Sequence, residues 1–198
     1  MQFTPGYLFG MALQTVPEPR KVARDLFDLG LSRETLWTAL LLMVVLATGL
    51  SVIADILFPI DAQLMGPLLS NPATLGLVEG VVMFGLAMAI HVIGRLMGGQ
   101  GTLENAIMTV VWMEFVFLGL QVVTVILTLI APAMAALLMF ASVFFFFWVL
   151  THFTVENHGF QSAGLVFTSI LIFMVLAVFA LSFILVLLGV EPIELPAQ

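Results

Sequence analysis

The chain has 198 residues, of which 62% are hydrophobic and 9% are charged, and its net charge is -7. A soluble globular domain carries about a quarter charged residues, so this composition excludes a water-soluble fold and predicts a protein surrounded by lipid. Cysteine is absent, which excludes disulfides, thiolate metal sites and a cysteine nucleophile. The acidic charge balance argues against nucleic acid as a partner.

A charged segment precedes the first long apolar stretch. In PEPRKVARDLFDLGLS (17–32), Val22, Leu26 and Leu29 recur at helical spacing, and charged residues occupy the rest of the helical wheel. Prolines at the start and Gly30 at the end are typical helix boundaries. The pattern predicts an amphipathic helix lying on the membrane surface. A charged flank with fortuitous spacing is the alternative.

Five apolar stretches are long enough, at about 20 residues, to cross a bilayer as helices. They cover residues 34–57, 74–97, 103–130, 133–153 and 162–189. We therefore predict an all-α polytopic membrane protein. Its five-helix transmembrane domain at 34–189 follows an N-terminal cytoplasmic segment at 1–33 and precedes a short acidic tail at 190–198. Only Ala131-Pro132 separates the third and fourth helices, which predicts a tight antiparallel hairpin.

The positive charges predict the orientation. The chain has five basic residues, and two crossings separate the first four from the fifth, so all lie on one side: Arg20, Lys21, Arg24, Arg33 and Arg95. The opposite side receives four acids and no cation: Asp55, Asp61, Glu191 and Glu194. Because basic residues concentrate in cytoplasmic segments, we expect the N-terminus inside and the C-terminus outside.

Small residues line one face of the second span. Gly76, Gly80, Ala87 and Gly94 lie within about 60° of one another on a helical wheel, together with His91. Helices in lipid approach closely through such faces. We therefore expect the second helix to pack against a neighbour along this face and to be central in the bundle.

Three polar side chains inside the spans are chosen as candidates for a site, because polar groups there are site candidates by default. Glu114 lies near the middle of the third span and shares a face with Gln121, while His91 belongs to the second. One interpretation is structural, with a neutral Glu114 hydrogen-bonded to another helix and His91 bonded near the inner interface. The other is a small transporter or channel subunit that uses Glu114, Gln121 and His91. Arg95, one turn from His91, disfavours a protonated imidazole.

The segment HVIGRLMGGQGTLENA (91–106) links the second and third spans. Its G-G-x-G spacing follows a membrane helix rather than a strand, and no Lys-Ser/Thr comes after it, so nucleotide binding is not predicted. Thr102 is expected to cap the third helix, with Glu104 in its first turn. A helix start beside a cation also favours contact with a lipid headgroup or a partner. The candidate contact residues are Arg95, Gly98, Gly99, Gly101 and Thr102.

His152, Glu156 and His158 end the fourth span. A His/Glu/His set has the donor types of a zinc site, but the H-E-x-x-H arrangement is missing. An interfacial cap is the favoured interpretation. We predict no catalytic, cofactor-binding or metal-binding residues.

Three segments resemble one membrane family. They are RLMGGQGTLENA (95–106), PEPRKVARDLFDLGLSRETLW (17–37) and FWVLTHFTVENHGFQSAGLVF (147–167). Their order and the five-helix layout resemble Yip-domain proteins (Ypt/Rab-interacting proteins), in particular their alphaproteobacterial branch. Where many relatives carry an aromatic residue and a proline in the third helix, this chain has VWME (111–114), which leaves any family role of that helix open.

The resemblance implies a fold and a location more than an activity. Eukaryotic members contact prenylated Rab GTPases and take part in vesicle traffic and membrane shaping, and the family brings no catalytic residues to transfer. We carry over the fold and not the Rab partnership. Together with the charge distribution, this leads us to expect a non-enzymatic protein of the bacterial inner membrane, with a cytoplasmic N-terminus and a periplasmic C-terminus. It would act as an adaptor, membrane-organising or complex-associated factor. Its expected partners are the lipid bilayer and another membrane protein or a second copy of the chain.

Overall fold

The computed structural model describes residues 4–59 and 71–187, and within them it contains seven helices and no strand. The helices are α1 Pro5–Gln14, α2 Pro19–Phe27, α3 Arg33–Leu57, α4 Pro72–Leu96, α5 Leu103–Ile130, α6 Pro132–His158 and α7 Ala163–Leu187. The predicted acidic tail at 190–198 and Asp61 lie outside the described residues.

The five long helices α3 to α7 are each long and apolar enough to cross a membrane, which confirms the predicted all-α fold with five spans. Polar side chains begin three of them. The side chains of Ser32, Asn71 and Thr102 accept hydrogen bonds from backbone N–H groups in the first turns of α3, α4 and α5. The predicted cap at Thr102 is therefore present. Gly159 ends α6 in the left-handed conformation, with φ of 71°.

Helices α5 and α6 have the most helical neighbours in the described part of the bundle. Helix α5 packs against α2, α3, α4 and α6, and α6 packs against α2, α4, α5 and α7, whereas α4 packs against α3, α5 and α6. The third and fourth spans, rather than the expected second, are thus the central ones. The α5–α6 hairpin is present as predicted, and Phe117 and Phe145 stack across it with ring centroids 5.8 Å apart.

One end of the bundle is packed like a water-soluble core. We call it the glycine-loop end, because residues 97–102 connect α4 to α5 there. In α5, all eight residues from Ala106 to Met113 are buried, so protein surrounds this part of the helix on every side. Helix α5 has 28 residues and is about 42 Å long, whereas the hydrocarbon core is about 30 Å thick. The helix is thus longer than the hydrocarbon, and its enclosed stretch lies at the glycine-loop end.

The predicted amphipathic helix is present as α2, but its apolar face does not meet lipid. Val22 and Ala23 are fully buried and Leu26 is 3% exposed, against α5 and α6. Phe27 contacts Phe153 edge-on, with ring centroids 6.2 Å apart. This apolar face covers the enclosed stretches of α5 and α6, while the charged side chains of α2 remain exposed.

Helix α1 precedes α2 and has no counterpart in the sequence prediction. It carries no charged residue, buries Met11, and leaves Phe9, Leu13 and the following Val16 at least 55% exposed. Thr15, just after α1, is fully buried. Helices α1 and α2 therefore form a folded part of the glycine-loop end.

Candidate functional site

His158, the last residue of α6, is the centre of the glycine-loop end. Its side chain is 3% exposed. A β-carbon added to Gly94, Gly99 or Gly101 would overlap the imidazole ring. These glycines are therefore needed for space, and they allow the backbone of the loop to wrap around the ring.

Both ring nitrogens of His158 are used. The backbone N–H of Gly101 donates to Nδ1 at 3.1 Å, so the ring hydrogen is on Nε2, which donates to the carbonyl of Ile90 at 3.0 Å. The backbone N–H of Gln100 donates to the His158 carbonyl at 3.2 Å. This is a neutral imidazole that joins α4, the loop and α6.

Asn157 extends the same connection. Its side-chain oxygen accepts from the Thr102 N–H at 3.2 Å, and its amide nitrogen donates to the Thr102 carbonyl at 3.4 Å. The Thr102 side chain accepts from Asn105 at 3.1 Å. The sequence analysis assigned His158 to an interfacial cap and did not connect it to the glycines. Gly101 and His158 are 57 residues apart in the chain. No periodic pattern in the sequence therefore indicates that the glycines and the histidine meet.

The residues expected to contact a headgroup or partner divide into two groups. Gly99, Gly101 and Thr102 use their backbone N–H groups inside the protein, and Gly98 makes the turn with φ of 87°. Arg95 is exposed, and within residues 4–59 and 71–187 it is the cation without an ion pair. Arg95 is therefore the charge left at this end for an external anion.

The other cations hold the glycine-loop end together. Glu156 on α6 accepts from Arg20 Nε at 3.1 Å and from Arg24 Nε at 2.9 Å, which ties α2 to α6. Arg33 Nε donates to Glu104 at 3.0 Å and joins the starts of α3 and α5. Across the described residues no group of three His, Asp or Glu side chains is placed to hold a metal.

Two tryptophans fix the N-terminal segment. Trp112 Nε1 on α5 donates to the Thr15 hydroxyl at 3.0 Å in a buried contact. Trp148 Nε1 on α6 donates to the Val16 carbonyl at 3.1 Å. The turn between α1 and α2 is thus bonded to both helices of the central hairpin.

The small-residue face of α4 meets two partners rather than one. A β-carbon on Gly76 would lie 3.0 Å from the Thr48 hydroxyl, and one on Gly80 would lie 3.7 Å from Val44, both on α3. Ala87 is fully buried. Gly94, at the far end, meets His158 instead. The face therefore packs closely along its length.

The structure brings Glu114 and Gln121 together but not His91. Glu114 and Gln121 line one cavity of about 610 Å³ between α4, α5 and α6. Gln121 also lines a neighbouring cavity of about 350 Å³ that Asp55 reaches. His91 lines neither; its Nδ1 is buried without a hydrogen-bond partner among the described residues, within electrostatic range of Glu104.

Glu79 is a second intramembrane acid that the sequence analysis missed. It accepts a hydrogen bond of 2.6 Å from the Thr48 hydroxyl on α3, and its carboxyl lies close enough to repel that of Glu114. Its position inside the apolar second span could have identified it, because a carboxylate at such a position is a site candidate.

These features define a multi-pass helical membrane protein in which the C-terminal ends of α4 and α6 meet at the buried His158. The family model for the Yip1 domain matches residues 13–184, from the end of α1 into α7. The chain belongs to the Yip1-domain family. No curated protein and no solved structure matches it.

Proposed function

We propose that this protein is a non-enzymatic adaptor or membrane-organising factor that presents its glycine-loop end to a partner. The main support is the construction of that end. The N-terminal segment covers α5 and α6 there, and hydrogen bonds from Trp112 and Trp148 tie it to these helices. The buried His158 holds the glycine loop. A surface that is rigid before binding loses little conformational entropy when a partner binds.

We further propose that the glycine-loop end faces the cytoplasm of a bacterium, across its inner membrane, with the C-terminus in the periplasm. All five cations belong to α2, the start of α3 or the end of α4, which meet at this end. The positive-inside rule supports this orientation. The three segments at 17–37, 95–106 and 147–167 support the alphaproteobacterial branch. On this basis residues 1–33 form the cytoplasmic segment, 34–189 the membrane domain and 190–198 the periplasmic tail.

The contact surface includes Arg95 and its neighbour Leu96. Leu96 is 82% exposed at the end of α4, and Arg95 is the cation free of ion pairs among the described residues. A basic and apolar pair at this level fits an anionic headgroup or the acidic surface of a partner membrane protein.

Site-specific photocrosslinking in native membranes tests the adaptor proposal. A benzophenone amino acid at Leu96 is compared with one at Leu137, which is 62% exposed near the opposite end of α6. We expect a discrete protein adduct from position 96, either to a second copy or to another protein, and lipid adducts from position 137. Lipid adducts alone at both positions contradict the proposal.

A small transporter or channel subunit is the second candidate, because Glu114 and Gln121 share a cavity inside the membrane. Proteoliposome flux measurements test it, with Glu114→Gln as the variant. Loss of flux in a folded Glu114→Gln protein supports transport. If flux is absent from the wild-type protein, the adaptor function remains the better account.

A further inference from the structure

The cavity between α4, α5 and α6 has the properties of a ligand site. Its volume of about 610 Å³ lies within the range of small-molecule pockets, which are mainly apolar with a few polar groups. Most of its lining is apolar, including Val82, Leu86 and Phe117. Four lining residues are polar: Glu114, Gln121, Thr124 and Ser142.

The polar side chains that line the cavity offer mainly hydrogen-bond acceptors. The Thr124 hydroxyl donates to the Leu120 carbonyl at 2.9 Å, and the Ser142 hydroxyl donates to the Leu138 carbonyl at 2.8 Å. A hydroxyl has one hydrogen to donate, so both oxygens have only lone pairs left for the cavity. The Glu114 carboxyl has no hydrogen bond to any other described residue. The Gln121 amide can both donate and accept, so it does not restrict the ligand. The other three side chains favour a ligand that donates hydrogen bonds.

The charge distribution around the cavity favours a cationic ligand. The five basic side chains all lie at the glycine-loop end, and none lines this cavity. Glu79 on α4 places a second carboxyl within electrostatic range of Glu114. An uncompensated acid in a low-dielectric environment strongly favours a positive partner.

We propose that this cavity binds a lipophilic amine, with its nitrogen at Glu114 and its hydrocarbon part along the apolar walls. A neutral amine enters from the lipid and takes the proton from the Glu114 carboxyl. The resulting ammonium donates to the Glu114 carboxylate. This site is independent of partner binding at the glycine-loop end, so either proposal can fail without the other.

Photoaffinity labelling of the full chain in nanodiscs tests the site. The probe is dodecylamine carrying a diazirine on its chain, and labelled peptides are mapped by mass spectrometry. Unlabelled dodecylamine and dodecanol serve as competitors of equal chain length. We expect the amine to suppress labelling of the cavity segments of α4, α5 and α6 at concentrations roughly tenfold to a hundredfold below those of the alcohol, as a charge-assisted hydrogen bond requires.

Two variants separate the acid in the cavity from the acid outside it. Glu114→Gln should abolish saturable labelling, whereas Glu79→Gln, which removes a carboxyl that does not line the cavity, should weaken the labelling without abolishing it. Equal competition by amine and alcohol, or unchanged labelling of Glu114→Gln, would overturn the proposal and identify a pocket for lipid chains. If Glu114→Gln does not fold, the competition between amine and alcohol on the wild-type protein decides the question.

Discussion

The imidazole of His158 on α6 occupies the space that a β-carbon on Gly94 of α4 would need. Gly99 and Gly101 close around the same ring from the connecting loop. Two helices and their loop are therefore joined by one buried side chain at the glycine-loop end, where protein surrounds α5 on every side. The stability of this end should depend on ordinary protein packing and hydrogen bonding.

Gly94→Ala should destabilise the protein, and Gly85→Ala should not. Both glycines are in α4, but a β-carbon on Gly94 overlaps His158, whereas one on Gly85 meets nothing within 4 Å. Overpacking costs about 1–3 kcal/mol, while Gly to Ala in an open helix position is favourable by up to about 1 kcal/mol. Thermal unfolding in detergent, followed by tryptophan fluorescence, measures both. Equal melting temperatures for the two variants would contradict the clash.

His158→Leu should remove the hydrogen bonds of the imidazole to the loop and to α4, while the leucine side chain still occupies the space of the ring. The change leaves the Gly101 N–H without its acceptor, and an unpaired buried group costs about 1–3 kcal/mol. We expect a lower melting temperature and faster hydrogen exchange at Gly101. His152→Leu is the control, because His152 bonds only to the Trp148 carbonyl of its own helix. Unchanged protection of Gly101 in His158→Leu would show that the hydrogen bond to the ring does not hold the loop.

Thr15→Val should release the N-terminal segment. Thr15 is fully buried and accepts from Trp112 Nε1, so valine leaves the indole N–H without its acceptor at a cost of about 1–3 kcal/mol. We expect faster tryptic cleavage after Lys21 and Arg24. Thr38→Val is the control, since Thr38 is exposed and donates only to the Glu34 carbonyl of its own helix. Identical cleavage rates for the two variants would mean that other contacts hold the segment.

Glu156→Gln should also release the N-terminal segment, but to a smaller extent than Thr15→Val. Glu156 accepts from Arg20 and Arg24, whose side chains are 48% and 61% exposed, and solvent screening limits such pairs to about 1 kcal/mol or less. We expect a small increase in tryptic cleavage, reproduced in the wild-type protein by raising the salt concentration. An increase in tryptic cleavage as large as that of Thr15→Val would show that the ion pairs, rather than the buried hydrogen bond of Thr15, hold the segment.

The spans could be predicted from the sequence because hydropathy and helix caps act locally. The fourth span shows the limit. Apolar character predicted its end at 153, whereas α6 continues to His158. The last turns contain Thr154, Asn157 and His158, which read as polar and interfacial but are buried by the glycine loop and α2. Their environment depends on residues more than 50 positions away, which no local pattern records.

The amphipathic pattern of α2 could not reveal what would cover it. Val22 and Leu26 form the same apolar face whether it enters lipid or packs on α5 and α6. Helix α1 went unrecognised for a related reason, because a short uncharged helix shows no contrast between its faces. In the candidate site, Glu114 and Gln121 were predictable as neighbours because one helix carries both. Thr124 lies on the same helix, whereas Ser142 on α6 needed the α5–α6 packing to become part of it.

Helix α1, rather than α2, should be the element that touches lipid near the N-terminus. Phe9 and Leu13 are 65% and 60% exposed on a helix without charges, while Val22 on α2 is fully buried. The chain contains no cysteine, so single nitroxide labels can be placed at chosen positions. Collision with oxygen reports lipid, and collision with a water-soluble nickel chelate reports solvent.

The label at Leu13 should collide with oxygen, since the turn after α1 is bonded to Trp112 and Trp148 of two spanning helices and is held beside the bilayer. A label at the exposed Lys21 should collide with the nickel chelate, and one at Val22 with neither. Oxygen access at Val22 together with nickel access at Leu13 would reverse the assignment and show that the apolar face of α2 meets lipid. In that case the packing of α2 on α5 and α6 would have to open in the bilayer, and Thr15→Val would have little further effect on proteolysis.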